Sequence, residues 1–245
     1  MELPLFPLHT VLCPGIALPL HIFEERYRAL VRHCIETKSP FGVVLIREGH
    51  EVGGGSIAFS AVGTLAEIRQ AGRYPDGRYD LLVVGTRRFA IEEVRVDDQP
   101  YLVADATILD EDVGDEAAVR RLANQATRRF VGYLELLQPR SGEAAEEIDI
   151  RVEVETERIV GDEPGPGDEA PERRVVIPDD PTTLSYLLAG IIQVELPRRQ
   201  ALLEADTTED RLRQLLGLID RETFLLRRRM RAFLPMPEGL GPRRS

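Results

Sequence analysis

The sequence predicts an α+β protein, a strand-rich first part followed by a helical bundle. Three observations carry that reading. Through residue 112 the apolar residues fall in short runs punctuated by Pro, Gly and Asp, as strands and turns do. Beyond residue 112 the apolar period lengthens to about 3.6, the spacing of helices that bury one face. At 245 residues the chain has room for one large or two modest domains. A division into residues 1–112 and 113–245 is therefore expected, with a long acidic insertion at about 139–179.

The expected strands are Leu3 to Leu8, Phe41 to Arg47, Ile57 to Ile68, Tyr79 to Val84, Phe89 to Val96 and Leu102 to Leu109. The opening segment reads as two short strands, broken at Pro7 and at Pro14-Gly15, that lead into a helix. That helix is expected from Ile22 to Glu36, where Phe23, Tyr27, Leu30, Val31 and Cys34 share a face and Glu24 pairs with Arg28 on the other. In Tyr74-Pro-Asp-Gly-Arg-Tyr79, Asp76-Gly77 predicts a two-residue hairpin turn that sets Tyr74 opposite Tyr79.

In the second part, Val119, Leu122, Ala126, Phe130, Leu134 and Leu137 form one stripe of a helix from Glu116 to Leu137. Asp180 reads as an N-cap with Pro181 at the first helical position, opening a helix through Leu184, Leu187, Leu188, Ile191 and Ile192. A short helix follows from Pro197 to Glu204. Thr207 and Asp210 have the spacing of a capping box, and Leu212, Ile219, Leu226 and Phe233 mark the core edge of a long last helix. Between these helices, Gly161-Asp-Glu-Pro-Gly-Pro-Gly-Asp-Glu-Ala-Pro171 has too few apolar residues to offset the entropy of ordering it, which predicts a mobile loop. Within the insertion, Ile148, Ile150, Val152 and Val154 alternate with charged residues and predict a strand or small ribbon.

Composition narrows the function. Of the 31 basic residues, 30 are Arg and one is Lys38. Lys38 follows Thr37 with no glycine before it, so there is no Walker A loop, and its place at the polar end of a helix does not suit a Ser-Lys dyad. Arginine cannot replace it as a base. The Arg bias itself is accounted for by codon composition. Net charge is −11, with −6 over residues 1–112 and −9 over residues 140–180. That balance opposes phosphate binding, which needs a basic stripe. No run approaches 18 apolar residues and the N-terminus has no basic flank, so neither a membrane span nor a signal peptide is expected, and the location expected is cytoplasmic.

The wording of the opening segment is more specific than its physics. Pro4-Leu-Phe-Pro-Leu8, Pro14-Gly15, Pro19-Leu20 and Ile22-Phe-Glu-Glu-Arg-Tyr27 resemble the start of the N-terminal substrate-recognition domain of the Lon protease family, with Cys13 where an aromatic residue usually precedes Pro-Gly. The resemblance continues in family order through Phe41-Gly-Val-Val-Leu45, Val62 to Ile68, Pro75 to Arg78, Val84 to Phe89 and Pro100 to Ala104. It extends more weakly to Asp180-Pro181 and Leu196 to Leu203, leaving out roughly residues 138–178. It implies a PUA-like β pseudobarrel followed by a helical bundle, and a stand-alone recognition domain without the ATPase and Ser-Lys peptidase modules of the full protease. A non-enzymatic module with no cofactor is then expected, binding unfolded or extended polypeptide segments, as an adaptor to a separate protease or chaperone in protein quality control. The alternative is RNA binding, a frequent use of PUA-like folds.

Phe6, Tyr74, Tyr79 and Tyr101 are the candidate polypeptide-binding residues, with cross-strand and core packing as the simpler account of each. His9, Cys13, His21, His33, Cys34 and His50 lack metal-ligand spacing, and the two cysteines read as buried free thiols. Gly53-Gly54-Gly55 is a plain turn, Ser56 sits in no nucleophile elbow, and the arginines from Arg227 to Arg231 complement the negative end of a helix.

Overall fold

A computed structural model describes residues 1–48, 58–95, 99–137, 151–154 and 174–232. The chain runs β1 (Glu2–Leu8), β2 (Ala17–Ile22), α1 (Glu25–Thr37), β3 (Phe41–Glu48), β4 (Ala58–Phe59), β5 (Val62–Arg73), β6 (Tyr79–Arg95) and β7 (Val103–Ile108). It continues with α2 (Glu116–Leu137), β8 (Arg151–Val154), β9 (Arg174–Ile177), α3 (Pro181–Ile191), α4 (Leu196–Glu204) and α5 (Thr208–Ala232). A β pseudobarrel is followed by a helical bundle, the α+β arrangement expected.

Five strands close a ring in the order β1, β7, β6, β5, β3, sealed by parallel pairing of Leu5–Leu8 with Gly42–Leu45. Closure covers most edges of those five strands, while Glu67–Arg73 of β5 pair with β6 alone. β2 lies outside the ring on the first half of β6, with Ala17 opposite Val84 and Ile22 opposite Tyr79, and two-residue β4 extends β3. Strand side chains alternate between two cores. Leu3, Leu5, Val44 and Leu65 pack around Phe89, while Phe6, Val43, Ala66 and Val83 pack under Tyr27, Leu30, Val31 and Cys34 of α1. Gly42 and Gly63 admit the Phe89 ring, because a Cβ at either would stand 2.6 or 2.7 Å from it.

Several elements differ from the sequence reading. Pro7 does not break β1, which continues through the parallel ladder at Val44. The two strands expected at Tyr79 to Val84 and Phe89 to Val96 are one, β6, and the strand expected from Ile57 to Ile68 is two, β4 and β5. The first helix starts at Glu25, because Ile22 is held in the β2–β6 ladder and Glu24 is extended (φ −70, ψ 136). Phe23 therefore lies outside the helix and is 62% exposed. Glu24 pairs with Arg26, at 2.8 Å, instead of Arg28.

The hairpin also differs. Tyr74 N–H donates to the Arg78 carbonyl, Gly77 N–H donates to the Tyr74 carbonyl, and Gly77 has φ +86, so the loop is three residues with its glycine in the left-handed position. The register moves by one, Tyr79 faces Arg73, and Tyr74 does not face Tyr79.

The helices follow their predicted bounds closely. α2 runs from Glu116 to Leu137, with Val119, Ala126, Phe130 and Leu134 buried, and α5 buries Leu212 and Ile219 against it. Asp180 caps α3, its carboxylate accepting from Thr183 N–H and Oγ1 at 2.7 Å each, and the Thr207 hydroxyl accepts from Asp210 N–H at 3.0 Å. Arg151–Val154 of the expected ribbon forms β8, whose parallel partner β9 was not anticipated. The rest of the predicted mobile loop, His50, the triglycine, Ser56 and Phe233 lie outside the described residues.

A buried charge cluster fastens barrel to bundle. Arg88 and Arg211, 3% and 0% exposed, share Glu111: Arg88 Nε donates to its Oε1 at 2.8 Å, and Arg211 Nη2 lies 3.5 Å from Oε2. The second positive charge is met by the carbonyls that end α4. Arg88 donates to Leu203 and Ala205, and Arg211 to Leu202, at 2.7 to 3.0 Å. Tyr186 donates to Glu111 at 2.5 Å, and its ring lies 3.8 Å from the Arg211 guanidinium carbon.

Candidate functional site

Where β2 leaves β6 and the chain turns into α1, the last residues of β1 and β2 stand apart and leave an apolar groove of about 500 Å³. Its floor is Phe6, whose ring lies 4.2 Å from Tyr27 and 5.8 Å from Phe41. Leu8, Leu20, Ile22 and Ile46 line the walls, and Phe23 stands at the mouth. Phe6 and Tyr27 are buried because alternation in β1 and the inner face of α1 direct them to one core. Phe23 is exposed because it belongs to neither element.

One side of the mouth is polar. The His21 ring stacks on Phe23 at 6.3 Å and meets Tyr74 edge-on at the same distance. His21 Nδ1 lies 2.6 Å from Asp80 Oδ1, and Tyr74 donates its hydroxyl to the other Asp80 oxygen. The Tyr74 hydroxyl, with His21, holds the Asp80 carboxyl below the usual carboxylate range, and the same hydrogen bond pushes the Tyr74 phenol up. Arg78 sits over the Tyr74 ring at 5.5 Å. Among the described residues no Lys or Arg lines the groove, and the carboxylate at its rim is Glu24.

The four sequence candidates fall in three places. Phe6 is the groove floor and Tyr74 flanks the mouth through His21. Tyr79 is 5% exposed, packs in the core beneath β2 and does not line the groove. Tyr101 is buried beside a separate polar cleft of about 850 Å³ lined by Met1, His33, Thr37 and Ser39, and burial raises its pKa. The residues that sequence reasoning missed are Leu20, His21, Phe23 and Ile46. The signal for the first two was present in Ala17-Leu-Pro-Leu-His-Ile22, where apolar and other residues alternate, but the expected helix start obscured it.

Cys13 and Cys34 are buried and unpaired, and burial pushes each thiol up to about 11, so both are neutral and neither is poised as a nucleophile or thiolate ligand. Among the described residues no group of three His, Cys, Asp or Glu side chains is placed to hold a metal. Lys38 is exposed, a left-handed C-cap (φ 54) whose N–H donates to the Cys34 carbonyl.

Residues 2–221 match the family described as the ATP-dependent protease La (LON) substrate-binding domain. The Lon protease of Anaeromyxobacter dehalogenans is 27% identical over 92% of this chain and 24% of its own length. The Lon protease of Escherichia coli K12 is 25% identical over 92% of this chain and 25% of its own. The chain thus spans about a quarter of the length of these relatives. A Lon N-terminal domain protein from Xanthomonas campestris has the same fold, with 28% identity, TM-score 0.59 and coverage of 89% of this chain and 98% of that one. The N-terminal domain of a Mycobacterium avium complex Lon protease shares the fold at 15% identity and TM-score 0.57, covering 90% and 98%.

Proposed function

Because the chain belongs to the family of the ATP-dependent protease La (LON) substrate-binding domain, we propose that it is a non-catalytic module that recognises polypeptide segments, with the Phe6–Phe23 groove as the contact surface. The observation that supports this reading most directly is the groove itself. It is a preformed apolar channel with a packed aromatic floor, an exposed aromatic at its mouth and no Lys or Arg among the described lining residues, which suits apolar side chains of an unfolded or extended segment. Delivery of such segments to a separate protease or chaperone is the role this binding would serve in the cytoplasm. No described helix is long and apolar enough to cross a membrane. RNA binding is the weaker reading, because no Lys or Arg is among the described residues that line the groove and the nearby Arg26 is paired with Glu24.

The test is fluorescence anisotropy of a labelled apolar peptide and a labelled single-stranded RNA across a salt series. Peptide binding that changes little with salt is expected, since few charges are neutralised. Phe23→Ser removes an exposed aromatic anchor and is expected to weaken peptide binding by about 1–2 kcal/mol without changing stability. Tight, salt-sensitive RNA binding with no peptide signal would overturn the proposal.

A further inference from the structure

The closed ring leaves few places where a backbone can be added. Among the described strands β2, the two-residue β4 and the separate β8–β9 pair lie outside it, and β2, like the Glu67–Arg73 end of β5, is paired on one side alone, with β6. The facing of each β2 amide follows from its first hydrogen bonds. Gly85 N–H donates to the Ile16 carbonyl at 3.0 Å, and in an antiparallel ladder alternate residues turn both backbone groups to the same side. Leu18, Leu20 and Ile22 are therefore spent on β6, while Ala17, Pro19 and His21 turn theirs to the open edge. The sequence agrees with this assignment, because proline, which has no N–H, occupies an outward position where the ladder loses nothing. The exposed side chains of Ala17, Pro19 and His21 place no bulky apolar group over that edge.

This edge runs directly into the groove, which Leu20, His21 and Ile22 line. We propose, resting on the polypeptide-recognition reading above, that the ligand is bound as an added β-strand on the outer edge of β2. Its backbone pairs with Ala17, Pro19 and His21, and every second side chain enters the Phe6 groove. The edge presents two donors, from Ala17 and His21, and three acceptors. The ligand carbonyl opposite Pro19 keeps its water. The recognised class is thus an extended segment of at least five residues with apolar side chains at alternate positions and no proline where its own N–H must reach β2. Selectivity lies in backbone conformation and alternation, not in sequence. The missing third donor keeps the pairing incomplete, so the edge takes up and releases a segment without templating continued strand growth.

A fluorescein-labelled nine-residue peptide alternating Leu with Ser serves as probe, titrated by anisotropy against the full chain. N-methylation of its amides one at a time is expected to weaken binding about fivefold at alternate positions and leave the intervening ones unchanged, since each inward N–H makes one hydrogen bond. Ala17→Pro, which deletes an outward donor that makes no hydrogen bond to β6, at a position outside the groove lining, is expected to weaken binding by a similar factor with unchanged thermal stability. A flat N-methyl scan with the parent peptide still bound, or undiminished binding by a folded Ala17→Pro variant, would overturn strand addition while leaving polypeptide recognition standing. Failure of the parent peptide to bind would overturn both.

Discussion

Cys13 and Cys34 differ in surroundings and share a fate. Cys13 is packed where the barrel meets the helices and Cys34 lies on the inner face of α1, and for both, loss of water is the dominant influence on the thiol. Each thiol is raised from 9.0 to about 11, so the folded protein favours the neutral form more strongly than the unfolded chain does. The associated stability is fully present below pH 9 and is lost as pH rises from 9 to 11. Urea midpoints measured between pH 8 and 11 are expected to fall over that window, and to fall less in a Cys13→Ala, Cys34→Ala double variant. Thiol labelling at pH 8 is expected to be slow in the native protein and rapid in urea; fast native labelling would contradict the burial. That both cysteines are buried was legible from their apolar neighbours. The exposure of Phe23 was not, because its spacing fits the helix face that Tyr27 and Leu30 occupy and only strand pairing at Ile22 excludes it.

Elements whose ends carry their own chemistry were read closely from sequence. Asp180 and Pro181 define the start of α3 by a carboxylate that accepts the Thr183 amide and a ring already at helical φ, both local effects. Asp180→Ala is expected to cost about 1 kcal/mol, visible as a lower urea midpoint with an unchanged far-UV spectrum; a change below 0.3 kcal/mol would show that Pro181 and packing suffice. Hairpins are more delicate. Pro75, Asp76 and Gly77 signal a turn correctly, yet two-residue and three-residue loops contain the same glycine, and the choice shifts the register by one and decides which tyrosine is buried. Tyr79 goes inward beside Ile22 and Leu81, leaving Tyr74 at 41% exposure beside His21.

The whole molecule is held by a charge cluster that no local pattern announces. Arg88 of β6 and Arg211 of α5 are brought to Glu111, in the segment between β7 and α2, by packing of elements distant in sequence. Glu111→Ala would strand two buried guanidiniums, at a cost of about 3 kcal/mol, expected as a large fall in urea stability. Barrel and bundle are coupled through this cluster and through the Asp112–Thr207 bridge, so wild-type unfolding is expected as one transition. A loss below 1 kcal/mol for Glu111→Ala would show that the helix-end carbonyls of α4 hold both guanidiniums without the carboxylate.

The sequence by itself determined the α+β class, the change of period after residue 112, the bounds of α2, the caps at Asp180 and Thr207 and the family wording of the first strands, because each depends on residues a few positions apart. Ring closure by β1 and β3, the single long β6, the outward edge of β2 and the groove between Phe6 and Phe23 were decided only by tertiary structure. These depend on which strand lies beside which. A period-2 pattern states that a strand has two faces, and only its neighbours determine which face, and which backbone edge, is left open.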